Sequence, residues 1–264
     1  MNPRLKNRFV IITGASSGLG EALAYKVAES GGNLLLLARR KERLARISKE
    51  INEKYHVSSS YYELDVRNLK EVEETFQIIT KEYERIDVLV NNAGFGIFQS
   101  VEDASLSEMQ AMFEVNVYGL IACTKMVLPK MRQQKEGHII NIASQAGKMA
   151  TPKSSFYSST KHAVIGFTNS LRMEVMDQSI FVTAVNPGPI RTNFFEQADT
   201  SGKYVKNIDR WMLRPEDVAK KIVRAMLTNK REINLPWWME SASRLYRLAP
   251  ALFEKVARKA FFQK

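Results

Sequence analysis

A tyrosine and a lysine stand four residues apart, at Tyr157 and Lys161, in a segment with helical periodicity. That spacing places both side chains on one face of a helix. An ammonium group beside a phenol lowers the pKa of the phenol, which is ordinarily about 10, and brings it closer to acid–base work near neutrality. Ser144 ends a predicted strand, where its hydroxyl can donate a hydrogen bond to a substrate oxygen. These three residues predict proton exchange with a carbonyl or alcohol oxygen.

Three glycines lie where the first predicted strand meets the first predicted helix. Residues without a Cβ atom permit a tight turn, let a pyrophosphate approach the backbone and let the helix pack closely on the sheet. The free N–H groups at the start of that helix attract an anion. The sequence therefore predicts a dinucleotide site at this loop, formed by Gly14, Ser16, Ser17, Gly18, Leu19 and Gly20.

The second predicted strand ends in Ala38-Arg39-Arg40, without a carboxylate. Folds that bind NAD generally place an acidic residue there, which binds the ribose 2′-hydroxyl. A guanidinium instead binds a 2′-phosphate through two parallel hydrogen bonds. We therefore predict that Arg39, helped by Arg40 and Ser16, selects NADP. The alternative is that both arginines are only solvated charges at the start of a helix.

Apolar, strand-like runs alternate with amphipathic, helix-like segments from residue 8 to about residue 235. This alternation predicts a doubly wound α/β Rossmann fold, with a mainly parallel seven-stranded sheet and helices on both faces. The predicted strands are Phe9–Thr13, Asn33–Ala38, Tyr61–Leu64, Ile86–Val90, His138–Ala143, Phe181–Val185 and Glu232–Leu235. The predicted helices are Gly18–Ser30, Lys41–Lys54, Leu69–Tyr83, Ser107–Gln133, Ser154–Asp177 and Pro215–Asn229.

Four polar motifs follow one another along the chain: Asn91-Asn92-Ala93-Gly94, Asn116-Val117-Tyr118-Gly119, Asn141-Ile142-Ala143-Ser144 and Tyr157-Ser158-Ser159-Thr160-Lys161. By these motifs, the chain over roughly residues 7–235 resembles the short-chain dehydrogenase/reductase family. The resemblance implies that Tyr157 is the general acid in reduction and the base in oxidation, and that Ser144 orients the carbonyl. It implies that Lys161 also binds the nicotinamide ribose, and that Asn116 holds a helix kink and a proton-relay water.

The same resemblance implies the remaining contacts of an NADP(H) cofactor. Asp65 and Val66, after the third strand, would contact the adenine. Asn92, Ala93 and Gly94 would flank the adenine ribose and support the sheet. The loop over the nicotinamide would be supplied by Pro187, Gly188, Ile190 and Thr192.

Apolar and aromatic residues cluster near these motifs and are candidates for the substrate pocket. They predict a lipophilic ketone, aldehyde or acyl-type carbonyl. Gln145, beside Ser144, is the clearest polar candidate. The segment Glu196–Asp209 is polar and is expected to be a mobile lid. The apolar candidates are Phe95, Ile97, Phe98, Met149, Ala150, Phe194, Phe195 and Trp211.

Bulk properties narrow the function classes. The net charge is +11, but no block of like charge or basic–aromatic platform indicates nucleic-acid binding. The three histidines and the single cysteine, Cys123, do not form a predicted metal site. The lone cysteine, with no apparent secretory signal and no apolar run long enough to span a bilayer, favours the cytoplasm. We also expect a homodimer or homotetramer.

No linker divides the pattern, so we predict one catalytic domain over residues 1–236, with a substrate lid over about 190–214. Residues 237–264 are predicted to form a helical extension, with a break before Pro250. In its second helix, Leu252, Phe253, Val256 and Ala260 share one face. The extension is rich in basic residues: Arg244, Arg247, Lys255, Arg258, Lys259 and Lys264. Such a helix could lie on an anionic membrane, or pack on the substrate lobe or a second subunit.

The leading hypothesis is therefore an enzyme that transfers a hydride between NADP(H) and a carbonyl or alcohol. The main alternative is a regulatory protein that senses NADP(H) without turnover. The presence of Ser144, Tyr157 and Lys161 together favours the enzyme.

Overall fold

The computed structural model describes residues 1–199 and 202–261. Within these residues, seven parallel strands form a single sheet in the order β3-β2-β1-β4-β5-β6-β7, as predicted for a doubly wound fold. The strands are β1 (Phe9–Thr13), β2 (Asn33–Ala38), β3 (Ser59–Glu63), β4 (Val88–Asn91), β5 (Gly137–Ile142), β6 (Ile180–Pro187) and β7 (Glu232–Leu235).

The helices of the described residues cover both faces of the sheet. They are α1 (Gly18–Glu29), α2 (Lys41–Tyr55), α3 (Leu69–Glu82), α4 (Leu106–Phe113), α5 (Leu120–Gln134), α6 (Ser155–Glu174), α7 (Phe194–Ala198), α8 (Lys203–Ile208), α9 (Pro215–Ala225), α10 (Trp237–Leu248) and α11 (Pro250–Phe261).

The apolar strands are buried on both sides because alternate residues face different layers. Val10 and Ile12 of β1 pack in one hydrophobic cluster with side chains of α1, α2 and α9. Ile11, between them, packs in a second cluster with side chains of α3, α5 and α6. Continuous apolar strands are therefore required, since each face of the sheet has its own core.

Strand boundaries match the prediction in β1, β2 and β7, and differ by one or two residues elsewhere. β3 begins at Ser59 rather than Tyr61, because Ser59 and Ser60 pair with Leu34 and Leu35 despite their weak strand propensity. Ile86 was wrongly placed in β4; its backbone N–H donates to Gln134 Oε1 instead of to a neighbouring strand.

The helix predicted over Ser107–Gln133 is interrupted. A π-helical segment, Glu114–Gly119, separates α4 from α5 and contains Asn116. The wider turn lets Gly119 approach the loop after β3, where a Cβ atom on Gly119 would lie 2.6 Å from the carbonyl oxygen of Val66. The helix irregularity expected at Asn116 is thus present.

By length and hydropathy alone, the run Leu106–Gln134 could cross a membrane. The core helix of a folded domain can pass the same test. Here Cys123, Val127 and Met131 of α5 are fully buried in the second cluster, and α5 packs on α3, β4 and β5. In this fold the run therefore serves as a core helix.

The helix predicted over Pro215–Asn229 ends earlier, at Ala225. Asn2 donates side-chain hydrogen bonds to the carbonyl oxygens of Val223 and Met226 at the helix end, and Arg4 Nε also donates to the Met226 carbonyl oxygen. Leu227 then adopts a left-handed conformation, and its N–H donates to His138 Nδ1.

The C-terminal residues form two helices that meet at Pro250, as predicted. α10 packs its inner face on β7 and on the turn after β5. Its outer face exposes Trp237, Leu245 and Leu248, and α11 continues the exposure with Leu252 and Val256. Lys264 lies outside the described residues.

The core position of Phe76 in α3 gives a test of this packing. Phe76 is fully buried, so Phe76→Ala should lower the free energy of unfolding by about 3–5 kcal/mol. Ile78→Ala, two residues away on the half-exposed side of α3, is the matched control and should cost much less. Urea denaturation followed by circular dichroism measures both, and equal losses would contradict the assignment of α3's buried face.

Candidate active site

The carboxyl ends of the central strands border one cleft of about 870 Å³. Parallel strands all point their carboxyl ends to the same edge, which is where ligands bind in open α/β sheets. The cleft runs from the loop after β1, across β4 and β5, to the loop after β6. One edge of the sheet thus collects residues that are far apart in sequence.

Ser144, Tyr157 and Lys161 meet in this cleft. Ser144 follows β5, and its Oγ accepts a hydrogen bond from the N–H of Ala146, which opens a short 3-10 turn at Gln145–Gly147. Tyr157 and Lys161 lie one turn apart on α6 and are both buried. Lys161 Nζ donates to the carbonyl oxygen of Ile142 at 2.9 Å and lies 5.7 Å from the Tyr157 ring centre.

Asn116 lies behind the cleft rather than in its lining. Its Oδ1 accepts from the N–H of Phe95, and its Nδ2 donates to the Phe95 carbonyl oxygen and to Thr160 Oγ1. The side chain therefore joins the π-helical segment to the loop after β4 and to α6. A role in holding a proton-relay water stays a prediction.

The protonation equilibria differ from the sequence-based expectation. Burial raises the pKa of Tyr157 to about 12, against a lowering contribution from the Ser144 hydroxyl. Burial also lowers the pKa of Lys161 to about 8. In the protein alone the pKa of Tyr157 is thus raised rather than lowered, because desolvation of the buried phenolate outweighs the hydrogen bond with Ser144. A lowering of this pKa by Lys161 together with an oxidised nicotinamide stays a prediction.

The loop after β1 has the geometry of a phosphate cradle. Gly14 and Gly18 have positive φ angles of 65° and 58°, which favour glycine. A Cβ atom on Gly14 would lie 2.8 Å from the Cα of Ala93, and one on Gly20 would overlap the carbonyl oxygen of Gly14. Gly20 does not line the cleft; it lets α1 pack against the loop.

The amino end of α1 is open to an anion. Ser17 precedes the helix in an extended conformation, and its side chain does not cap the first turn. The N–H groups of that turn are then available to a pyrophosphate at the cleft. The cradle and the open helix end fit the dinucleotide predicted from the glycines.

Arg39 and Arg40 both line the cleft at the end of β2. Arg40 donates to the hydroxyls of Ser16 (3.1 Å) and Ser17 (2.7 Å), which ties the guanidinium to the phosphate loop. Arg43, which sequence reasoning did not single out, donates to the Ser16 carbonyl oxygen. Arg40 and Arg43 are thus organised around Ser16, whereas Arg39 is exposed and acts electrostatically on Asp65.

Asp65 and Val66 line the same end of the cleft. The Asp65 carboxylate accepts from Arg67 Nη2 at 2.6 Å. Burial acts to raise the pKa of Asp65, but Arg67 and the more distant Arg39 hold the pKa below its ordinary value. Asp65 is therefore ionised and already paired at this position.

The loops after β4 and β6 complete the part of the cleft in which the dinucleotide is expected to bind. Asn92 Nδ2 donates to the carbonyl oxygens of Thr13 and Gly14, which fixes the loop after β4 against the glycine loop. Ala93 and Gly94 line the cleft next to Asn92, and the loop after β6 lines its opposite wall with Pro187, Gly188, Ile190 and Thr192.

The predicted pocket residues divide into two groups. Phe95, Ile97, Phe98, Gln145, Met149, Phe194 and Phe195 line the cleft, whereas Trp211 and Ala150 do not. Trp211 is half exposed and packs edge-on against Trp238 of α10, with ring centres 5.7 Å apart, outside the cleft. Its assignment to the pocket is wrong.

Tyr204 and Met239 are among the lining residues that sequence reasoning did not single out. Tyr204 on α8 packs edge-on against Phe98, with ring centres 5.4 Å apart. Met239 on α10 also lines the cleft. The single aromatic residue within the polar segment Glu196–Asp209 was the available signal for Tyr204, whereas nothing in the sequence placed α10 beside the cleft.

The predicted lid contains two short helices, α7 and α8, with Thr200 and Ser201 between them outside the described residues. Phe98 N–H donates to the carbonyl oxygen of Ala198, and Phe194 lies 5.6 Å from Tyr157 by ring centres. The segment thus covers Tyr157 with apolar side chains. Its opening and closing remain a prediction.

Comparison with known proteins agrees with this geometry. Residues 8–202 match the sequence profile of the short chain dehydrogenase family. An NADP-dependent 3-hydroxy acid dehydrogenase from Schizosaccharomyces pombe is 36% identical over 230 residues, covering 84% of this chain and 88% of the relative. A dehydrogenase/reductase SDR family protein 7-like from Anopheles gambiae is 34% identical over 264 residues, covering 97% of this chain and 83% of the relative.

A solved structure shows the same fold with a cofactor bound. The alcohol dehydrogenase of the archaeon Thermococcus sibiricus, complexed with 5-hydroxy-NADP, superimposes with a TM-score of 0.77 at 30% identity. The match covers 87% of this chain and 96% of that chain. The chain therefore belongs to the short-chain dehydrogenase/reductase family of oxidoreductases and has its fold.

Proposed function

We propose that this protein transfers a hydride between NADP(H) and a carbonyl or alcohol, with Tyr157 as the proton donor and acceptor. The observation that carries the proposal is the meeting of Ser144, Tyr157 and Lys161 in the same cleft as the glycine loop. The residues proposed to transfer the proton and those proposed to bind the pyrophosphate then contact substrate and cofactor in the same cleft.

The bound cofactor supplies or accepts the hydride; the chain supplies the proton and the orientation. Ser144 Oγ donates a hydrogen bond to the substrate oxygen and fixes the carbonyl beside Tyr157. Tyr157 Oη gives its proton to that oxygen as negative charge develops there. A pKa of about 12 keeps the phenol protonated near neutrality, so its proton is present when the carbonyl binds. Lys161, fixed by Ile142, stabilises the phenolate that remains.

NADP(H) is the cofactor that the arginines favour. Arg39 and Arg40 place two guanidinium groups at the end of β2, where a 2′-phosphate would lie. The fission-yeast relative is described as NADP-dependent, and the archaeal structure holds an NADP derivative. Both agree with the charge at this end of the cleft.

A lipophilic, uncharged carbonyl compound fits the substrate half best. Its walls include Phe95, Phe98, Met149 and Phe194. Of the described cations that line the cleft, three lie at the adenosine end, and Lys161 is committed to Ile142. A carboxylate on the substrate would therefore lack a partner there.

Gln145 is the polar anchor that we propose for this substrate. Its Nε2 donates to the carbonyl oxygen of Asn186, and its buried Oε1 has no hydrogen-bond partner among the described residues. A buried amide oxygen without a partner is costly, so a donor group on the substrate would be favoured there.

The alternative function, sensing of NADP(H) without turnover, has no observation in its favour. It would not need a buried lysine and serine around Tyr157. The assays below separate the two functions, because a sensor binds NADPH but oxidises none.

The outer face of the C-terminal helices suits one of the alternatives considered for the extension, contact with an anionic membrane. Trp237, Leu245, Leu248 and Leu252 are exposed along it, and Arg247 projects from the same helices. Apolar side chains with basic neighbours bind headgroup regions. We propose a cytoplasmic homo-oligomer that makes this peripheral contact; light scattering after gel filtration measures its oligomeric state.

The role of Tyr157 is tested by Tyr157→Phe in an NADPH-oxidation screen over diverse carbonyl compounds. Loss of the proton donor should lower kcat about 100-fold or more while the Kd for NADPH, from fluorescence titration, stays unchanged. Tyr61→Phe, at a partly exposed tyrosine on β3, is the matched control. Near-normal turnover by Tyr157→Phe would refute the assignment.

Cofactor choice is tested by Arg39→Ala and Arg40→Ala separately. Each should lower kcat/KM for NADPH by about tenfold or more and leave kcat/KM for NADH little changed, since only the former has the 2′-phosphate. Arg46→Ala, on the exposed part of α2, is the control. A wild-type preference for NADH would contradict the prediction.

Membrane contact is tested by co-sedimentation with vesicles containing phosphatidylglycerol. The wild-type protein should bind these vesicles and lose binding as salt is raised, whereas Leu248→Glu/Leu252→Glu should not bind. Ile78→Glu, at an exposed residue of α3, controls for added charge. Equal vesicle binding by the two variants would show that this face does not contact the membrane. If the wild-type protein does not bind vesicles and Leu248→Glu/Leu252→Glu loses self-association, the face instead contacts a second copy of the chain.

A further inference from the structure

Lys148 is a buried cation that the proposed reaction does not use. Its side chain is only 4% exposed, although lysine is almost never buried without a partner. Its Nζ donates to Glu232 Oε2 (2.8 Å), Asn234 Oδ1 (3.1 Å) and Glu240 Oε2 (2.7 Å). All three N–H bonds of the ammonium are therefore used.

The partners of Lys148 belong to the C-terminal part of the chain. Glu232 and Asn234 lie on β7, and Glu240 lies on α10. Although burial acts to raise the pKa of each glutamate, Lys148 holds both below their ordinary values; Arg244 assists at Glu240. The excess negative charge is offset by the Arg244–Glu240 ion pair at 2.8 Å. The charges of the cluster are paired, so removal of one partner would leave a buried charge without its counter-ion, which is costly.

The backbone of Lys148 ends the turn that begins after Ser144. Ser144 caps the turn Gln145–Gly147, which we call the serine turn, and the N–H of Lys148 closes it by donating to the Gln145 carbonyl oxygen. A Cβ atom on Gly147 would lie 2.7 Å from the carbonyl oxygen of Lys161, so the turn packs directly on α6. A displacement of Lys148 would thus move Ser144 relative to Tyr157.

A second path joins the same groups. Gln145 Nε2 donates to the carbonyl oxygen of Asn186, and Asn186 Nδ2 donates to Asn234 Oδ1, which Lys148 also binds. The next residue, Pro187, has the carbonyl oxygen that Ser144 Oγ contacts at 3.4 Å. The hydrogen bonds form a closed ring around the serine turn.

α10 also touches the second loop beside Ser144. A Cβ atom on Gly188, in the loop after β6, would lie 2.6 Å from Met239 Sδ. Met239 lines the cleft and directly precedes Glu240, which pairs with Lys148. One helix, lying beyond the region matched by the family profile, therefore contacts the loops on both sides of the catalytic serine.

The geometry points to Lys148 as a positioning residue that holds Ser144 in its reactive position through the serine turn, with Glu240 of α10 as its anchor. α10 is then part of the working active site rather than an appendage. This inference rests on the proposed function, since it concerns the serine that orients the substrate carbonyl.

The test is a double-mutant cycle between Lys148→Met and Ser144→Ala, with turnover of NADPH and a carbonyl substrate found in the screen. Lys148→Met alone should lower kcat about tenfold or more, with an unchanged Kd for NADPH. In the Ser144→Ala background, Lys148→Met should cause almost no further loss, because both changes act through the same hydroxyl. Losses that multiply would overturn the inference, as would a normal kcat for Lys148→Met.

Two further variants keep the test decisive if Lys148→Met folds poorly. Glu240→Gln leaves Lys148 paired with Glu232, and should give a smaller drop in kcat that also vanishes in the Ser144→Ala background. Lys70→Met, at an exposed lysine of α3, is the matched control and should leave kcat unchanged. If the losses in kcat caused by Glu240→Gln and Ser144→Ala multiply in the double variant, the inference is refuted. Absence of turnover by the wild-type protein would instead refute the proposed function.

Discussion

The hydrogen bonds of the Asn116 side chain hold together the three elements on which the site depends. One amide binds both the N–H and the carbonyl oxygen of Phe95 and also the hydroxyl of Thr160. Phe95 follows the loop that supports the glycine turn, and Thr160 is next to Lys161 on α6. The π-helical segment exists where this amide must reach both partners at once. The loop after β4 and α6 are therefore fixed relative to each other by the buried side chain of Asn116, which does not line the cleft.

Burial determines the pKa values of Tyr157 and Lys161 on α6. The phenol of Tyr157 is covered by Phe98 and Phe194, and the ammonium of Lys161 is out of water. Each neutral form is favoured by this environment, which raises the pKa of the tyrosine and lowers the pKa of the lysine. The phenol of the protein alone is therefore protonated near neutrality. In the proposed reaction, the negative charge that develops on the substrate oxygen makes proton donation from Tyr157 favourable.

The elements and the reactive residues could be predicted from sequence because their signals are local. Apolar runs indicate buried strands, glycines at a strand-to-helix junction indicate a tight turn, and the spacing of Tyr157 and Lys161 places them on one helix face. The serine turn's attachment to α10 could not be predicted in this way. Lys148 and Glu240 are 92 residues apart, and each alone is an ordinary charged residue in the sequence.

The errors have the same origin. Trp211 lies within the predicted lid, but its packing on Trp238 depends on where α10 is docked. The pKa of Tyr157 depends on the side chains that cover it, which sequence spacing cannot supply. Edge residues such as Ser59 join a strand because a neighbour offers a hydrogen-bonding partner, against their own propensity.

The central claim is that one cleft brings a hydride from NADPH and a proton from Tyr157 to the same carbonyl group. Its most direct measurement uses NADPH that carries deuterium in both positions at C4 of the nicotinamide, with mass spectrometry of the alcohol formed by the wild-type protein and by Tyr157→Phe. The account predicts that the wild-type product carries deuterium on the former carbonyl carbon and that the variant forms almost none of this product. A wild-type product without deuterium, or equal labelled product from both proteins, would contradict it.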